Sequence, residues 1–285
     1  MLVTLKQVLE PARQGRYCVP GFNCTEDVMV RTLLETAESL RTPIIMMAIE
    51  SDLVGNGWTY LAGLIKLAGD HHDVPVVLHL DHATNVDVIK RAVDNGFTSV
   101  MIDGSVLPYE ENVAITREVV DIASPHGISV EAELGHVGGA NLAETAHAEN
   151  VLTEPEEVER FVADTGIDAL AVSIGTSHGV YRAEPVLNIE RLDELNAVSK
   201  VPLVLHGGSG TPDDQVARAV RHGICKMNVY SDLRVAMGIG YKRTVERIDR
   251  PDPLPCDLVA PIRECLAETI RAKVELCGSA GKAGE

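Results

Sequence analysis

Eight short apolar runs, each followed by a longer segment of helical spacing, leave this chain very few folds to adopt. The runs are rich in β-branched residues and span Tyr17–Asn23, Pro43–Ile49, Pro75–Asp81, Thr98–Asp103, Ser129–Leu134, Ala169–Ile174, Pro202–His206 and Ile224–Asn228. Helical patterns lie between them over Glu26–Leu40, Val86–Asn95, Glu111–His126, Glu156–Asp164, Ile189–Ala197 and Pro212–His222. Gly96, Gly127, Gly166 and Gly223 follow four of these patterns in the position of a helix C-terminal cap. A strand that recurs after every helix builds a parallel sheet, and eight such units point to closure, since a doubly wound sheet usually has fewer strands. The expected fold class is therefore α/β, a single (β/α)8 TIM barrel that uses residues 1–285 as one domain. A length of 285 residues suits it, because such barrels take about 250 residues.

Three segments depart from the rhythm. Gly135 to Thr153 and Gly175 to Asn188 are longer than bare connections need to be. After about residue 250, RPDPLP breaks the chain, and an extra C-terminal helix from Asp257 to about Leu276 follows. That helix has no place in the eight units and is expected outside the barrel or on a partner subunit.

Charge and cysteine usage exclude several function classes. Asp and Glu number 42 against 25 Lys and Arg, and the net charge of −17 repels phosphate backbones and anionic lipid, so neither nucleic acid nor membrane is expected as a partner. The six cysteines form no CxxC pair and no even ladder, which argues against a disulfide framework and a thiolate metal site. MLVTLKQVLEPARQGRY reads as an amphipathic helix ending at Gly15, not as a leader, and no stretch approaches 18 apolar residues. A cytoplasmic location is expected.

Polar residues recur at the C-terminal ends of the strands, where barrel enzymes carry their active sites. The third run ends in His79-Leu80-Asp81-His82, the fourth in Asp103 and the fifth contains Glu131 and Glu133; His178 follows the sixth, His206 ends the seventh and Asn228 the eighth. A lone histidine is usually a hydrogen-bonded core or surface residue, and His71, His72, His126, His136, His147 and His222 are read that way. His82, His178 and His206 share one end of three strands, and neutral imidazoles converging from separate strands are what an open zinc site needs. Asp81 beside His82 suits either an orienting or a proton-transfer role. His206-Gly207-Gly208-Ser209-Gly210 leads into a helix start, where small residues let backbone N–H groups close on an anion. Asn228-Val229-Tyr230-Ser231-Asp232 opens the next helix in the same way, and loops after strands seven and eight are the recurrent barrel phosphate site.

Taken together, HLDHA, EAELG, SIGTSHG, HGGSG and KMNVYSDL, with the opening YCVPGFN and closing GSAGKA, resemble the class II, metal-dependent ketose-bisphosphate aldolases. The likeness runs through nearly the whole chain in the family's motif order. It implies an aldehyde-lyase that reversibly cleaves a fructose- or tagatose-bisphosphate type of ketose to dihydroxyacetone phosphate and an aldehyde. It implies zinc on His82, His178 and His206, with Asp103 and Glu133 at an alternative or second metal position. Gly179, Gly207, Gly208, Ser209, Asn228, Val229, Tyr230 and Ser231 match residues that bind dihydroxyacetone phosphate, and Asp81 matches the proton-transfer residue. A homodimer or homotetramer is implied as well. The other readings are a sugar-phosphate-binding barrel without catalysis and an aldolase for a different ketose 1-phosphate; a zinc hydrolase barrel is disfavoured because Tyr17–Asn23 contains no histidine.

The chain leaves the family pattern after Gly138-Gly139, where many members carry acidic residues and this one has Ala140-Asn141-Leu142. The carboxylate that handles the carbon-bound proton of dihydroxyacetone phosphate is then expected from Glu144, with Glu149 second, and the preferred aldehyde need not be glyceraldehyde 3-phosphate.

Overall fold

The computed structural model describes residues 1–139, 150–179 and 184–284. Strands β1 (Val19–Asn23), β2 (Ile44–Ile49), β3 (Val76–Ala83), β4 (Ser99–Ile102), β5 (Ser129–Leu134), β6 (Ala169–Val172), β7 (Leu203–Leu205) and β8 (Ile224–Val229) pair in sequence order, and β8 closes on β1. Every pairing is parallel, with Gly21 opposite Ile45 on one side of β1 and opposite Asn228 on the other. The alternation in the sequence thus gives the expected barrel. All eight strands differ from the sequence reading by at most two residues at either end, a margin within which strand ends fray.

The outer ring consists of α2 (Asp27–Leu40), α3 (Gly57–Gly69), α4 (Val86–Asp94), α5 (Tyr109–Ala123), α6 (Pro155–Thr165), α7 (Ile189–Val198), α8 (Asp213–Arg221) and α9 (Ser231–Arg247). Helix α3 is absent from the patterns read in the sequence, because its Leu61, Ala62 and Ile65 face inward while Tyr60 and Leu67 stand exposed and blur the period. The inner faces of these helices and the outward faces of the strands form one large apolar cluster, with Trp58 tilted against Phe97 at 5.7 Å between ring centroids.

The amphipathic N-terminal segment becomes α1 (Leu5–Gly15). Thr4 and Gln7 form a capping box at its start. Leu5, Val8, Leu9 and Ala12 pack with Val19, Ile45, Met47, Val77 and Val204 of the barrel interior, so α1 plugs the N-terminal mouth. Only the C-terminal ends of the strands remain for a site. The extra C-terminal helix, α10 (Pro255–Cys277), lies outside the barrel against α9 and α2. It approaches so closely that a Cβ on Gly240 of α9 would stand 2.5 Å from Ile262 Cα. Among the described residues, no helix is long and apolar enough to cross a membrane.

Candidate active site

The third strand delivers two adjacent side chains to one cavity, which regular alternation would forbid. The pairing of β3 with β4 shifts register between Leu80 and Ala83, and His82 adopts φ 49°, a left-handed conformation rare for a residue with a Cβ. Asp81 and His82 consequently line the same cavity. Strain of this kind persists where surrounding structure over-determines it, commonly at active sites.

Each of the three expected histidines has one ring nitrogen engaged and the other aimed at a common point. His82 Nδ1 bonds Asp103 Oδ2 at 2.8 Å, His178 Nδ1 bonds the Val137 carbonyl at 3.0 Å, and His206 Nε2 bonds Glu131 Oε1 at 3.0 Å. Carbonyl and carboxylate oxygens accept, so these nitrogens carry the hydrogens, and in the neutral rings that a metal binds the opposite ones present lone pairs. His82 Nε2, His178 Nε2 and His206 Nδ1 are buried without a hydrogen-bond partner. One nitrogen from each of the three rings meets the others within 4.8 Å. Three orphaned, converging imidazole nitrogens whose tautomers are fixed from behind fit a divalent metal such as zinc.

His178 owes its position to the glycine pair of the loop after β5. Its N–H bonds the Gly138 carbonyl at 2.8 Å, and Gly139 sits at φ 150°, where a Cβ would lie 2.4 Å from the His178 carbonyl oxygen. A side chain at 139 would push the ligand loop away.

Asp103 and Glu133 are brought to the same place, and with His82 they form a second group able to hold an ion. Asp103 is fully engaged, its Oδ1 accepting from Ser105 Oγ at 2.6 Å and its Oδ2 facing His82. Glu133 Oε1 accepts from the Val137 N–H at 3.0 Å and its Oε2 is 3.4 Å from His206 Nδ1. Burial, then the charge of Asp103, pushes Glu133 up to about 8. His178 is pushed down to about 3 by burial and by His82 and His206. His82 goes the other way: burial opposes its charge, but Asp81, Asp103 and Glu133 outweigh it and raise it to about 9. That acidic field favours positive charge where the three nitrogens meet.

Asp81 is buried, yet His82 and Lys226 outweigh the cost of burial and hold it well below the usual carboxylate range. It accepts from Asn228 Nδ2 at 2.9 Å and Asn23 Nδ2 at 3.2 Å, which fixes an ionised carboxylate at the cavity wall. Gly179, Gly207, Ser209, Asn228, Tyr230 and Ser231 line this cavity too. Ser209 Oγ accepts from the N–H groups of Tyr230 and Asp232 at 3.1 and 3.2 Å, tying the β7 loop to the start of α9. Gly208 and Val229 are not among the lining residues; Gly208 donates to the Asn228 carbonyl at 3.1 Å, and Val229 is buried in the core. Glu144 and Glu149 lie outside the described residues.

A barrel mouth with three fixed imidazoles, an ionised Asp81 and a helix N-terminus beyond them is a site for metal-assisted chemistry on an anionic substrate. The family model for class-II fructose-bisphosphate aldolase matches residues 3–282. The chain belongs to that family. This aldolase, a lyase, is 38% identical to the fructose-bisphosphate aldolase of Giardia intestinalis over an alignment covering 100% of this chain and 95% of the relative. The crystal structure of the YdjI aldolase from Escherichia coli is similar at a TM-score of 0.88 and 32% identity, covering 99% of this chain and 100% of that one. The fructose-bisphosphate aldolase of Campylobacter jejuni, at TM-score 0.82 and 22% identity over 99% of this chain and 97% of its own, adds a likeness of fold.

Several contributors to the aldolase site carried no role in the sequence. Asn23 closes the motif YCVPGFN and holds Asp81; Glu131 backs His206; Lys226 is the one charged residue of its buried strand, which was the available signal. Ile49 lines the cavity from β2, and nothing in its own run distinguishes it from a core residue.

Proposed function

We propose that this class II aldolase is zinc-dependent and reversibly cleaves a phosphorylated ketose to dihydroxyacetone phosphate and an aldehyde. The observation that carries the reading is the trio of partnerless nitrogens on His82, His178 and His206, each oriented by an acceptor on its far side. Bound there, zinc would supply Lewis-acid polarisation of the substrate ketone. Asp103 and Glu133 offer a second, adjacent cation position.

Asp81 is the proton-transfer group. Its carboxylate lines the cavity ionised and pre-aimed by Asn23 and Asn228, ready to take the proton of the hydroxyl beyond the breaking bond and to return it in synthesis. Gly179, Gly207 and Ser209, with Asn228 at the end of β8 and Tyr230 and Ser231 at the start of α9, form the seat for the phosphate of the three-carbon half, and Gly208 and Val229 support it from behind the cavity wall. Glu144 handles the carbon-bound proton. Removing zinc with a chelator should abolish cleavage and adding it back should restore it. Asp81→Ala should keep zinc and lose about 10²- to 10⁴-fold in kcat. Full activity after exhaustive chelation, with no metal found by elemental analysis, would overturn the reading.

Ile49 and Tyr230 favour a second reading of the acceptor end. An aliphatic and an aromatic side chain wall the cavity on the β2 side, with the Asp52 carboxylate behind Tyr230. Apolar surface and a carboxylate suit an aldehyde without phosphate, so the ketose would be a 1-phosphate. Comparing kcat/KM for phosphorylated and non-phosphorylated aldehydes in the synthetic direction tests this.

The chain functions as one cytoplasmic domain assembled into a homodimer or homotetramer. Val235 and Ile239 of α9 and Leu258 and Val259 of α10 stand exposed on the outer helices, and apolar surface of that kind marks an association face. Light scattering at micromolar concentration reads the subunit number.

A further inference from the structure

Directly beneath the three histidines, the barrel interior holds an ion pair that the reaction does not touch. Lys226 of β8 is fully buried, and its Nζ donates to both oxygens of the Glu131 carboxylate at 3.0 and 2.9 Å. Glu131, on β5, is equally buried. Room for the lysine stem comes from β1, where a Cβ on Gly21 would lie 3.5 Å from Lys226 Cε and 2.7 Å from Met47 Sδ.

A buried ion pair is a poor way to stabilise a core, since apolar residues of similar volume are commonly as good or better. Its value here lies in the acceptor capacity that remains. Glu131 Oε1 also accepts from His206 Nε2 at 3.0 Å. An ionised carboxylate can only accept, so it fixes the hydrogen on Nε2 and leaves the His206 Nδ1 lone pair facing His82 and His178. The lysine completes the arrangement by holding both oxygens of that carboxylate in place.

We propose that Lys226 is a positioning residue that acts through Glu131 to hold His206 as the Nε2–H tautomer, with Nδ1 presented to the metal. The relay spans β8, β5 and β7 and ends 3.0 Å from the imidazole. It rests on the zinc reading given above. Without Lys226, Glu131 is an uncompensated buried carboxylate. It then turns toward His79, whose Nε2 is buried without a hydrogen-bond partner 3.9 Å from Glu131 Oε2. That change releases His206.

The test uses three variants of the full chain. Lys226→Met removes the cation. Lys226→Met with Glu131→Gln replaces the ion pair by a neutral amide, whose oxygen can accept from His206 while its NH2 donates to His79. Lys226→Met with Glu131→Met makes the layer apolar and leaves His206 without an acceptor. Zinc affinity is read by competition with a chromophoric chelator, thermal stability on the metal-free proteins, and the His206 tautomer by nitrogen-15 imidazole NMR, also metal-free. The single variant should lose about 10- to 100-fold in zinc affinity and populate both tautomers. The amide variant should recover most of the affinity, and the apolar variant should recover thermal stability alone. Wild-type zinc affinity in a folded Lys226→Met protein, or in the apolar variant, would overturn the inference. Should the wild type bind no zinc, the zinc reading fails first, and the tautomer measurement still decides: an unchanged Nε2–H tautomer in Lys226→Met overturns the relay.

Discussion

The phenol of Tyr230 donates a 2.7 Å hydrogen bond to Asp52 Oδ2, joining the end of β8 to the turn after β2 across the rim of the cavity. Burial, and then Asp52 itself, raises the tyrosine well above its ordinary value, so it stays a protonated donor. Arg234 lies over the Tyr230 ring at 5.4 Å and holds it from the other side.

Tyr230→Phe should therefore loosen one wall of the site without touching the metal ligands. Loss of a wall weakens binding of ground and transition states alike, so KM for the ketose should rise several-fold with kcat changed by less than about twofold. Steady-state kinetics read this directly, and a fall in kcat with constant KM would be the contrary result.

The same substitution has a pH signature. Burial raises Asp52, and the Tyr230 hydrogen bond opposes that rise. A carboxyl raised in the folded state costs stability once it ionises, so removing the bond should cost about 1 kcal/mol at neutral pH, the low end for a charged acceptor because Asp52 is half-buried. The difference from wild type should shrink as the pH falls through the raised folded-state value of Asp52, once the carboxyl is protonated in both folded proteins. Thermal melts across pH test the sign.

Zinc should stabilise the fold as well as activate it. The three partnerless imidazole nitrogens gain a ligand only when a metal binds, and free zinc at 100 times its Kd adds about 2.7 kcal/mol. A Tm that climbs with zinc concentration in wild type and stays flat in His178→Ala is the expected pattern in scanning fluorimetry.

Cysteine alkylation should be strongly uneven. Burial pushes Cys24 up to about 12 and Cys225 up to about 11, and burial together with Cys277 raises Cys18. Cys265 and Cys277 are buried as well, while Cys256 at the start of α10 is exposed. Iodoacetamide at pH 8 should add one label quickly, at Cys256, and the others only as the protein unfolds; intact-mass spectrometry counts them.

Gly240→Ala should uncouple α10 from α9. The added methyl would meet Ile262 backbone at 2.5 Å, so the helices must part, costing roughly 1–3 kcal/mol. The metal site is remote from this crossing, and kcat per folded molecule should hold while Tm falls.

The order and type of nearly every element was legible in the sequence, because a parallel barrel strand is buried on both faces and reads as a short, largely apolar run, while each helix turns one apolar face inward. Side-chain periodicity is a local property, so one chain carries it without help. The convergence of His82, His178 and His206 was legible for a related reason: a barrel puts every strand's C-terminal end at the same mouth, so residues at strand ends meet there. The loop after β5 could be read only as a departure from the family's motif, which is why Glu144 enters as a proposal.

Tertiary structure alone decided what each of these residues faces. No spacing rule pairs Lys226 with Glu131, 95 positions earlier, or Tyr230 with Asp52, 178 positions earlier, since barrel closure rather than chain proximity brings them together. Nor could the sequence say that His82 takes a left-handed backbone, so that it and Asp81 line one cavity where alternation would send them apart. Which nitrogen of each imidazole is free depends on the acceptor behind it, Asp103, Val137 or Glu131, and those contacts exist only once eight strands share one interior.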